Sequence, residues 1–371
     1  MNKKSMIGVL LALALILVIV AVQFLGGSDL LKKTEKLKDI TVKGYVGGEK
    51  MGFLANVKVI DILKKRYGIT IDAEKKGSVE MVKGLRYRGA DIDFYWPSNF
   101  VCVEWFKTSG GQVKGADVIF NSPMVIYCPD KVADALIAMG IVQVQDNVHY
   151  IVDFPELVNL AVNGKRWKDI NLPMIPGTIK ILSTDPGQSN SGNIFYGLLA
   201  NILQGDVVSP ATVGTVLPRL KDYYGRMGFQ LKSSGDIFDL FISNPYTSPL
   251  LVGYENQLIE YAVQNSDDYT IEFLKKSIRT LYPQPTVWSS HPLIAVNKNG
   301  ERLMEALKDP EIQQIAWDRH GFRSSLTSVR NDPAKHKVSG LPELITAIIQ
   351  MPSAETMDMI LSGLQPGKLN N

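Results

Sequence analysis

Residues 183–193 read Ser-Thr-Asp-Pro-Gly-Gln-Ser-Asn-Ser-Gly-Asn, and an apolar-rich segment of helical length, residues 194–203, follows them directly. The apolar pair Ile181-Leu182 stands just before this stretch, so the local pattern predicts a strand, a polar loop and the start of a helix. The first turn of a helix has backbone N–H groups without intrahelical partners and carries a partial positive charge. The stretch therefore predicts either a cradle for an anion or polar ligand, or an ordinary helix cap at Ser191 or Asn190.

Segments of strand and helix character alternate along the chain on both sides of this stretch. Ile40–Val46 has the composition of a strand, apolar residues then recur at helical spacing from Phe53 to Tyr67, and Ile69–Ala73 resembles a second strand. This rhythm predicts an α/β fold with a mostly parallel sheet and helices on both faces. About 340 residues follow the N-terminal apolar segment, more than one core usually serves, so two lobes are expected.

The N-terminus carries the pattern of a membrane segment. Two lysines precede an uncharged run of 20 residues from Met6 to Leu25, which matches the thickness of a bilayer core. The sequence therefore predicts an uncleaved transmembrane signal-anchor over residues 1–27, a linker over residues 28–39, and an extracytoplasmic location for the rest of the chain. A cleaved signal peptide is the alternative.

The composition bounds the class of partner. The 40 Lys and Arg residues and 37 Asp and Glu residues are interleaved and give a net charge of only +3, so nothing indicates nucleic-acid binding. The two cysteines, Cys102 and Cys128, predict either a disulfide in an oxidising compartment or two buried thiols.

Patterns that would indicate an enzyme are weak. Gly187–Gly192 departs by one position from the spacing of a G-x-S-x-G nucleophile elbow. The four histidines show no spacing typical of metal ligands, and neither a P-loop nor a dinucleotide fingerprint occurs. We therefore expect no catalytic activity, no cofactor and no bound metal.

Four polar loops follow predicted strands. Ligands of open α/β sheets bind beyond the carboxyl ends of the strands, where loops enter helices. Each of the four is rich in hydroxyls, amides or glycine, and together they predict a polar ligand in a cleft between two lobes. The loops are Gly47–Lys50, Ser98-Asn99, Asn121-Ser122 and Ser183–Asn193.

Five segments, in chain order, carry the sequence patterns of one known family: Asn56–Gly68, Phe120–Ile126, Asp185–Gly192, Leu251–Gln257 and Ile312–Arg323. Their order resembles the type II extracellular solute-binding proteins of ABC transporters, which include molybdate, sulfate and phosphate binders. Asp185–Gly192 is similar to the family's D-P-x-x-S-x-S-G loop, and the resemblance spans most of residues 40–330. The chain lacks a lipid-attachment cysteine, and its loops match no single ligand pattern of the family.

The resemblance implies a two-lobed periplasmic-binding-protein fold, with two open mixed sheets, helices on both faces and a hinge of two crossings. Lobe one is then about 40–125 plus 252–371, and lobe two is about 126–251. The crossings are expected near Met124–Cys128 and Leu250–Gly253.

The function implied is capture of a small polar ligand, with an oxyanion favoured, by closure of the two lobes. An ABC permease or another membrane protein is the expected partner. The alternative is a membrane-tethered sensor or scaffold that keeps the fold without transport. A carboxylate in the cleft, for example Glu255 beside Tyr254, would instead favour a cationic or hydroxylated ligand. The predicted ligand-binding residues are Gly47, Gly48, Lys50, Ser98, Ser122, Thr184, Ser189, Ser191, Gly192 and Asn193.

Overall fold

The structure, a computed structural model, describes residues 38–84, 89, 91–228 and 230–365. The predicted anchor, residues 1–27, and all of the predicted linker except Lys38 and Asp39 lie outside these residues. No helix within the described ranges is long and apolar enough to cross a membrane.

One long strand joins two sheets. Its first part, from Gly115 to Pro123, pairs with the last strand of the chain, and its second part, from Met124 to Pro129, pairs with strands of the other sheet. The strands are β1 (Ile40–Val46), β2 (Ile69–Lys75), β3 (Phe94–Trp96), β4 (Gly115–Pro129), β5 (Val142–Gln145), β6 (Val148–Ile151), β7 (Leu251–Tyr254), β8 (Ile278–Pro283) and β9 (Trp288–Ala295).

The first sheet has the order β2-β1-β3-β9-β4, with β1 parallel to β2 and β3, and β9 antiparallel to both of its neighbours. In the second sheet β4 pairs antiparallel with β7 and β8, β6 lies parallel to β8, and β5 completes the edge. The expectation of a mostly parallel sheet is therefore wrong. Alternating strands and helices predict parallel crossover connections, but the local pattern cannot show that β4 pairs antiparallel with strands far away in sequence.

Helices cover the sheets, and capping residues mark where helices begin and end. Asp309 accepts hydrogen bonds from the backbone N–H groups of Glu311 and Ile312, and helix Pro310–His320 ends at Gly321 with a φ of 69°. The helices are α1 (Met51–Leu54), α2 (Val57–Tyr67), α3 (Ser78–Lys83), α4 (Val101–Thr108), α5 (Asp130–Ala138), α6 (Phe154–Val162), α7 (Asn190–Gln204), α8 (Val213–Met227), α9 (Ser234–Ser243), α10 (Glu255–Gln264), α11 (Asp268–Ser277), α12 (Lys298–Ala306), α13 (Pro310–His320) and α14 (Ala354–Leu364).

The described residues bury three apolar clusters. One packs β1 and β3 against α2, α12 and α13, and another packs β7 and β8 against α9, α10 and α11. The largest surrounds α7, in which every residue from Asn190 to Ile202 is buried. The helix that follows the polar stretch is therefore a central element of the fold, and packing from Asn190 to Ile202 fixes its position.

Several local predictions need correction. The strand that the sequence predicts before the polar stretch, over Thr178–Leu182, is not formed, because within the described residues this segment makes only isolated bridges, at Thr178 and at Leu182. The sequence of Leu341–Leu364 predicts two short helices, but the structure has one there, α14. Cys102 and Cys128 are buried free thiols, so the disulfide alternative is wrong. Burial raises the pKa of the Cys102 thiol to about 12, which keeps it protonated and unreactive at neutral pH.

The two predicted crossings lie side by side. Residues Met124 to Tyr127 of β4 pair in register with Tyr254 to Leu251 of β7. A bridge between Leu182 and Leu251 ties the segment before the polar stretch to the same place. The lobe boundaries at 125/126 and 251/252 stay a prediction.

Candidate functional site

A cavity of about 550 Å³ opens where the loops of the first sheet face the start of α7. The turn Gly47–Gly52 and the loop Lys75–Glu80 contribute to one wall. Ser189 and Asn190 lie at the start of α7, and the segments Lys232–Asp239 and Tyr254–Gln264 complete the lining. The volume is that of a site for a small molecule.

Two asparagine side chains in this lining are buried and incompletely bonded. Asn256 is 1% exposed, and neither its amide nitrogen nor its amide oxygen has a hydrogen-bond partner within the described residues. Asn190 is 9% exposed; its Nδ2 donates to the Ser98 carbonyl and to the Tyr254 hydroxyl, each at 2.9 Å, but its Oδ1 has no partner there. Buried polar groups are costly to leave unpaired. These amides are therefore the strongest sign of a ligand.

A charged cluster lies under the Gly47–Gly52 turn. The Lys50 ammonium, fully buried, donates to the Glu49 carboxylate at 2.6 Å, to the Ser98 hydroxyl at 2.8 Å and to His291 Nδ1 at 3.1 Å. The Ser98 hydroxyl in turn donates to the Glu49 carboxylate. Glu49 itself lines the cavity. Lys50 thus holds a carboxylate at the cavity surface and does not reach the cavity itself.

The charge states of this cluster follow from burial and mutual contact. Burial opposes the ionisation of Glu49, but the adjacent Lys50 ammonium holds its pKa well below the ordinary value. Burial, and then the neighbouring Lys50 charge, lower the pKa of His291 to about 4. At neutral pH Glu49 is therefore ionised and His291 is neutral. Nδ1 of His291 accepts from Lys50, which places the imidazole proton on Nε2.

The hydroxyls of the Ser183–Asn193 stretch bond to one another. Ser191 Oγ lies 2.6 Å from Thr184 Oγ1 and 3.2 Å from Ser189 Oγ. Thr184 Oγ1 also accepts from the backbone N–H of Gly192 at 2.8 Å. A Cβ on Gly192 would lie 2.2 Å from the Thr184 carbonyl oxygen, so only glycine allows this approach. The stretch is a closed, self-bonded turn in which only Ser189, with Asn190, reaches the cavity.

One further contact links α7 to the Ser98-Asn99 loop, and another joins β4 to α10. Asn193 Oδ1 accepts from Asn99 Nδ2 at 3.2 Å. Ser122 Oγ accepts from the backbone N–H of Asn256 at 3.2 Å. Both Ser122 and Asn193 are fully buried and lie behind the cavity wall. Ser122 holds the backbone of Asn256, and Asn193 holds the start of α7, which carries Asn190.

The chain was compared with known proteins by sequence and by structure. No family model and no curated protein matches it. Apo ferric ion-binding protein A of Pasteurella haemolytica is 10% identical, with a TM-score of 0.56 over 89% of this chain and 98% of that chain. AfuA of Actinobacillus pleuropneumoniae, a periplasmic binding protein with fructose-6-phosphate bound, is 13% identical, with a TM-score of 0.55 over 87% and 96%. The ferric binding protein of Campylobacter jejuni is 12% identical, with a TM-score of 0.54 over 87% and 98%.

This chain has the type II periplasmic-binding-protein fold. The predicted resemblance is confirmed at the level of the fold, and at these identities the likeness carries no information about the ligand. Within the described ranges no group of three or more His, Cys, Asp or Glu residues could hold a metal ion.

Within this periplasmic-binding-protein fold, the predicted ligand residues occupy three kinds of position. Gly47, Gly48 and Ser189 line the cavity. Lys50 and Ser98 support Glu49 from below. The remaining five are buried behind the wall: Ser122, Thr184, Ser191, Gly192 and Asn193. Ligand contact by any of the ten stays a prediction.

Sequence reasoning missed Glu49, Asn190 and Asn256 as site residues. All three lie in segments that were singled out, but no local signal shows which side chain is left without a partner after folding. Glu255, considered for the cleft, is instead fully buried and pairs with Arg323, whose Nε lies 2.6 Å from Oε1. Tyr254 does line the cavity.

Proposed function

We propose that the chain is an extracytoplasmic solute-binding protein that captures a small polar ligand in the cavity between its two sheets. The observation that carries the proposal is the pair of incompletely bonded amides, Asn190 and Asn256, in the wall of a cavity of ligand size. The similar structures are named as binding proteins, which supports binding over catalysis.

The lining favours a ligand rich in hydroxyl groups over an oxyanion. Each free amide offers a donor or an acceptor, which suits hydroxyls that both donate and accept. Ionised Glu49 accepts only, and it would repel an anion. The aromatic rings of Phe238, Tyr254 and Tyr261 offer apolar faces. An oxyanion remains the competing class, because Lys75, Lys76 and Lys232 also reach the cavity.

Capture would use the contacts that already join the two sides. Asn190, at the start of α7, binds the Ser98 carbonyl of the opposite loop, and Asn99 binds Asn193. A ligand that touches both sides would favour the closed arrangement by its differential affinity. Delivery to an ABC permease is the role proposed for the closed form. A membrane-tethered sensor or scaffold is the alternative, and the two differ in whether a permease binds the ligand-loaded protein.

A thermal-shift screen of the full chain tests the proposal. The panel contains sugars and other polyols, polyamines, amino acids, oxyanions and metal ions. We expect a saturable rise in melting temperature with a polyol, because stabilisation grows as RT ln(1 + [L]/Kd). Asn256→Ala should lower the affinity for that ligand by about tenfold or more. Asn163→Ala, at an exposed position outside the cavity, is the matched control.

Three results would change the conclusion. A rise with oxyanions alone would reverse the ligand class but keep the binding role. A rise that Asn256→Ala leaves intact would move the site elsewhere. No shift across the panel would favour the sensor or scaffold and turn the search to protein partners.

A further inference from the structure

A second pocket of about 520 Å³ lies on the far side of α10 from the cavity described above. Glu260 and Tyr261 of α10 line the first cavity, whereas Ile259, Ala262 and Val263 line this pocket. The end of α13 and the segment Lys335–Lys337 supply the remaining walls. Nothing in the proposed capture of a ligand uses this pocket.

His336 is the unusual residue of the pocket. It is 9% exposed, and neither of its ring nitrogens has a hydrogen-bond partner within the described residues. Its ring packs edge-on against Trp317, with 4.6 Å between the ring centroids. A neutral imidazole has one N–H donor and one acceptor, so His336 lies in the pocket wall with both unused.

Three of the four charged side chains that line this pocket are cationic: Arg319, Lys335 and Lys337, against Asp318. Lys335 is balanced by Asp318, whose two carboxylate oxygens lie 3.1 and 3.2 Å from its Nζ. Arg319 forms no ion pair with a carboxylate in the described part of the chain. Within the same residues, the one hydrogen bond of Lys337 Nζ goes to the Ser266 carbonyl, at 3.3 Å. Among the residues that the structure describes, Arg319 and Lys337 thus have no carboxylate partner.

The wall that α10 contributes to the pocket is apolar, because it consists of Ile259, Ala262 and Val263. Cations on one side and an apolar surface on the other suit a molecule with a negative group and a hydrophobic body. We infer that this pocket is a second binding site, for a small organic anion whose carboxylate meets Arg319, Lys337 and His336 and whose apolar body lies on α10.

Titration calorimetry of the full chain with benzoate tests the inference. We expect saturable binding, tighter than for acetate, which lacks the apolar body. Arg319→Met and Lys337→Met should each weaken benzoate binding by about fivefold. Lys131→Met, an exposed lysine that lines neither pocket, should leave it unchanged. Asn256→Ala should also leave it unchanged, which separates this site from the proposed ligand cavity.

Imidazole NMR gives a second readout that does not depend on the mutated cations. Burial lowers the pKa of His336 in the free protein; Asp318 and Glu255 partly oppose this, and Arg323 and Lys335 add to it. A bound carboxylate favours the protonated imidazole, so benzoate should raise that pKa. Absence of saturable binding, benzoate affinity unaltered in both cation variants, or an unmoved His336 pKa would each overturn the inference. Inorganic phosphate binding as tightly as benzoate would overturn the organic class.

Discussion

The buried lysine is the most consequential single residue of the cleft. Lys50 has no exposed surface and contacts Glu49, Ser98 and His291. Removing one partner of a buried ion pair leaves the other charge uncompensated, which costs far more than the pair contributes. The effect of replacing Lys50 therefore comes mainly from the unpaired charge that is left on Glu49.

We expect Lys50→Met to lower the free energy of unfolding by about 3 kcal/mol, because ionised Glu49 loses its ammonium partner. Urea denaturation measures the change, with Lys58→Met, an exposed lysine, as the matched control. The double variant Glu49→Gln with Lys50→Met should be more stable than Lys50→Met alone, since no buried charge is then unpaired. Equal stabilities for Lys50→Met and Lys58→Met would contradict the role given to the pair.

At the residue scale, the sequence predicted the loops that build the site, but it identified only some of the side chains that face the cavity. Composition and position in the fold select Gly47–Lys50 and Ser183–Asn193. The sequence cannot show that the hydroxyls of the second loop bond to one another, or that Asn256 is left without a hydrogen-bond partner among the described residues. Both facts depend on contacts between segments that are distant along the chain.

Helix α7 is the element on which the site is built, and its N-terminus is anchored by one glycine. Gly192 approaches the Thr184 carbonyl so closely that no Cβ fits, since an added Cβ would lie 2.2 Å from the carbonyl oxygen. This approach lets Gly192 N–H reach the Thr184 hydroxyl. The turn and the helix are thereby locked together.

We expect Gly192→Ala to lower the free energy of unfolding by about 1–3 kcal/mol, because backbone must move to admit the methyl group. Gly225→Ala is the control: it lies in α8 with nothing within 4 Å of the added Cβ. Alanine there should instead stabilise the protein by up to about 1 kcal/mol. Denaturant midpoints of the two variants give the comparison, and a neutral Gly192→Ala would mean that the turn relaxes freely.

At the scale of elements, local chemistry predicted well where a cap or a stop decides the boundary. The capping residue Asp309, the proline that follows it and Gly321 predict a helix between them, which is α13, and Ile40–Val46 is a strand over its full predicted length. The failures have a tertiary cause. Thr178–Leu182 has strand composition, but it meets neighbours only at single bridges, and pairing partners are not encoded locally.

On the scale of the whole molecule, the N-terminal segment is expected to be dispensable for folding. Residues Lys38 and Asp39 touch the rest of the chain through an exposed ion pair between Asp39 and Lys64 and a bond from Arg302 to the Lys38 carbonyl. Such surface contacts contribute at most about 1 kcal/mol each.

Deleting residues 1–39 should therefore leave a soluble, folded protein with nearly the melting temperature of the full chain. Gel filtration and thermal unfolding measure this. Aggregation of the shortened protein would show instead that the deleted segment packs on the lobes.

The position of β9 in the first sheet has a consequence for how the protein is made. Trp288–Ala295 lies between β3 and β4, although most of the second sheet separates β4 from β9 along the chain. Until the ribosome has added residue 295, the facing edges of β3 and β4 have no partner, and unpaired edges invite wrong association. The edges of β3 and β4 therefore stay open to other chains until residue 295 has been added, and only then can β9 complete the first sheet.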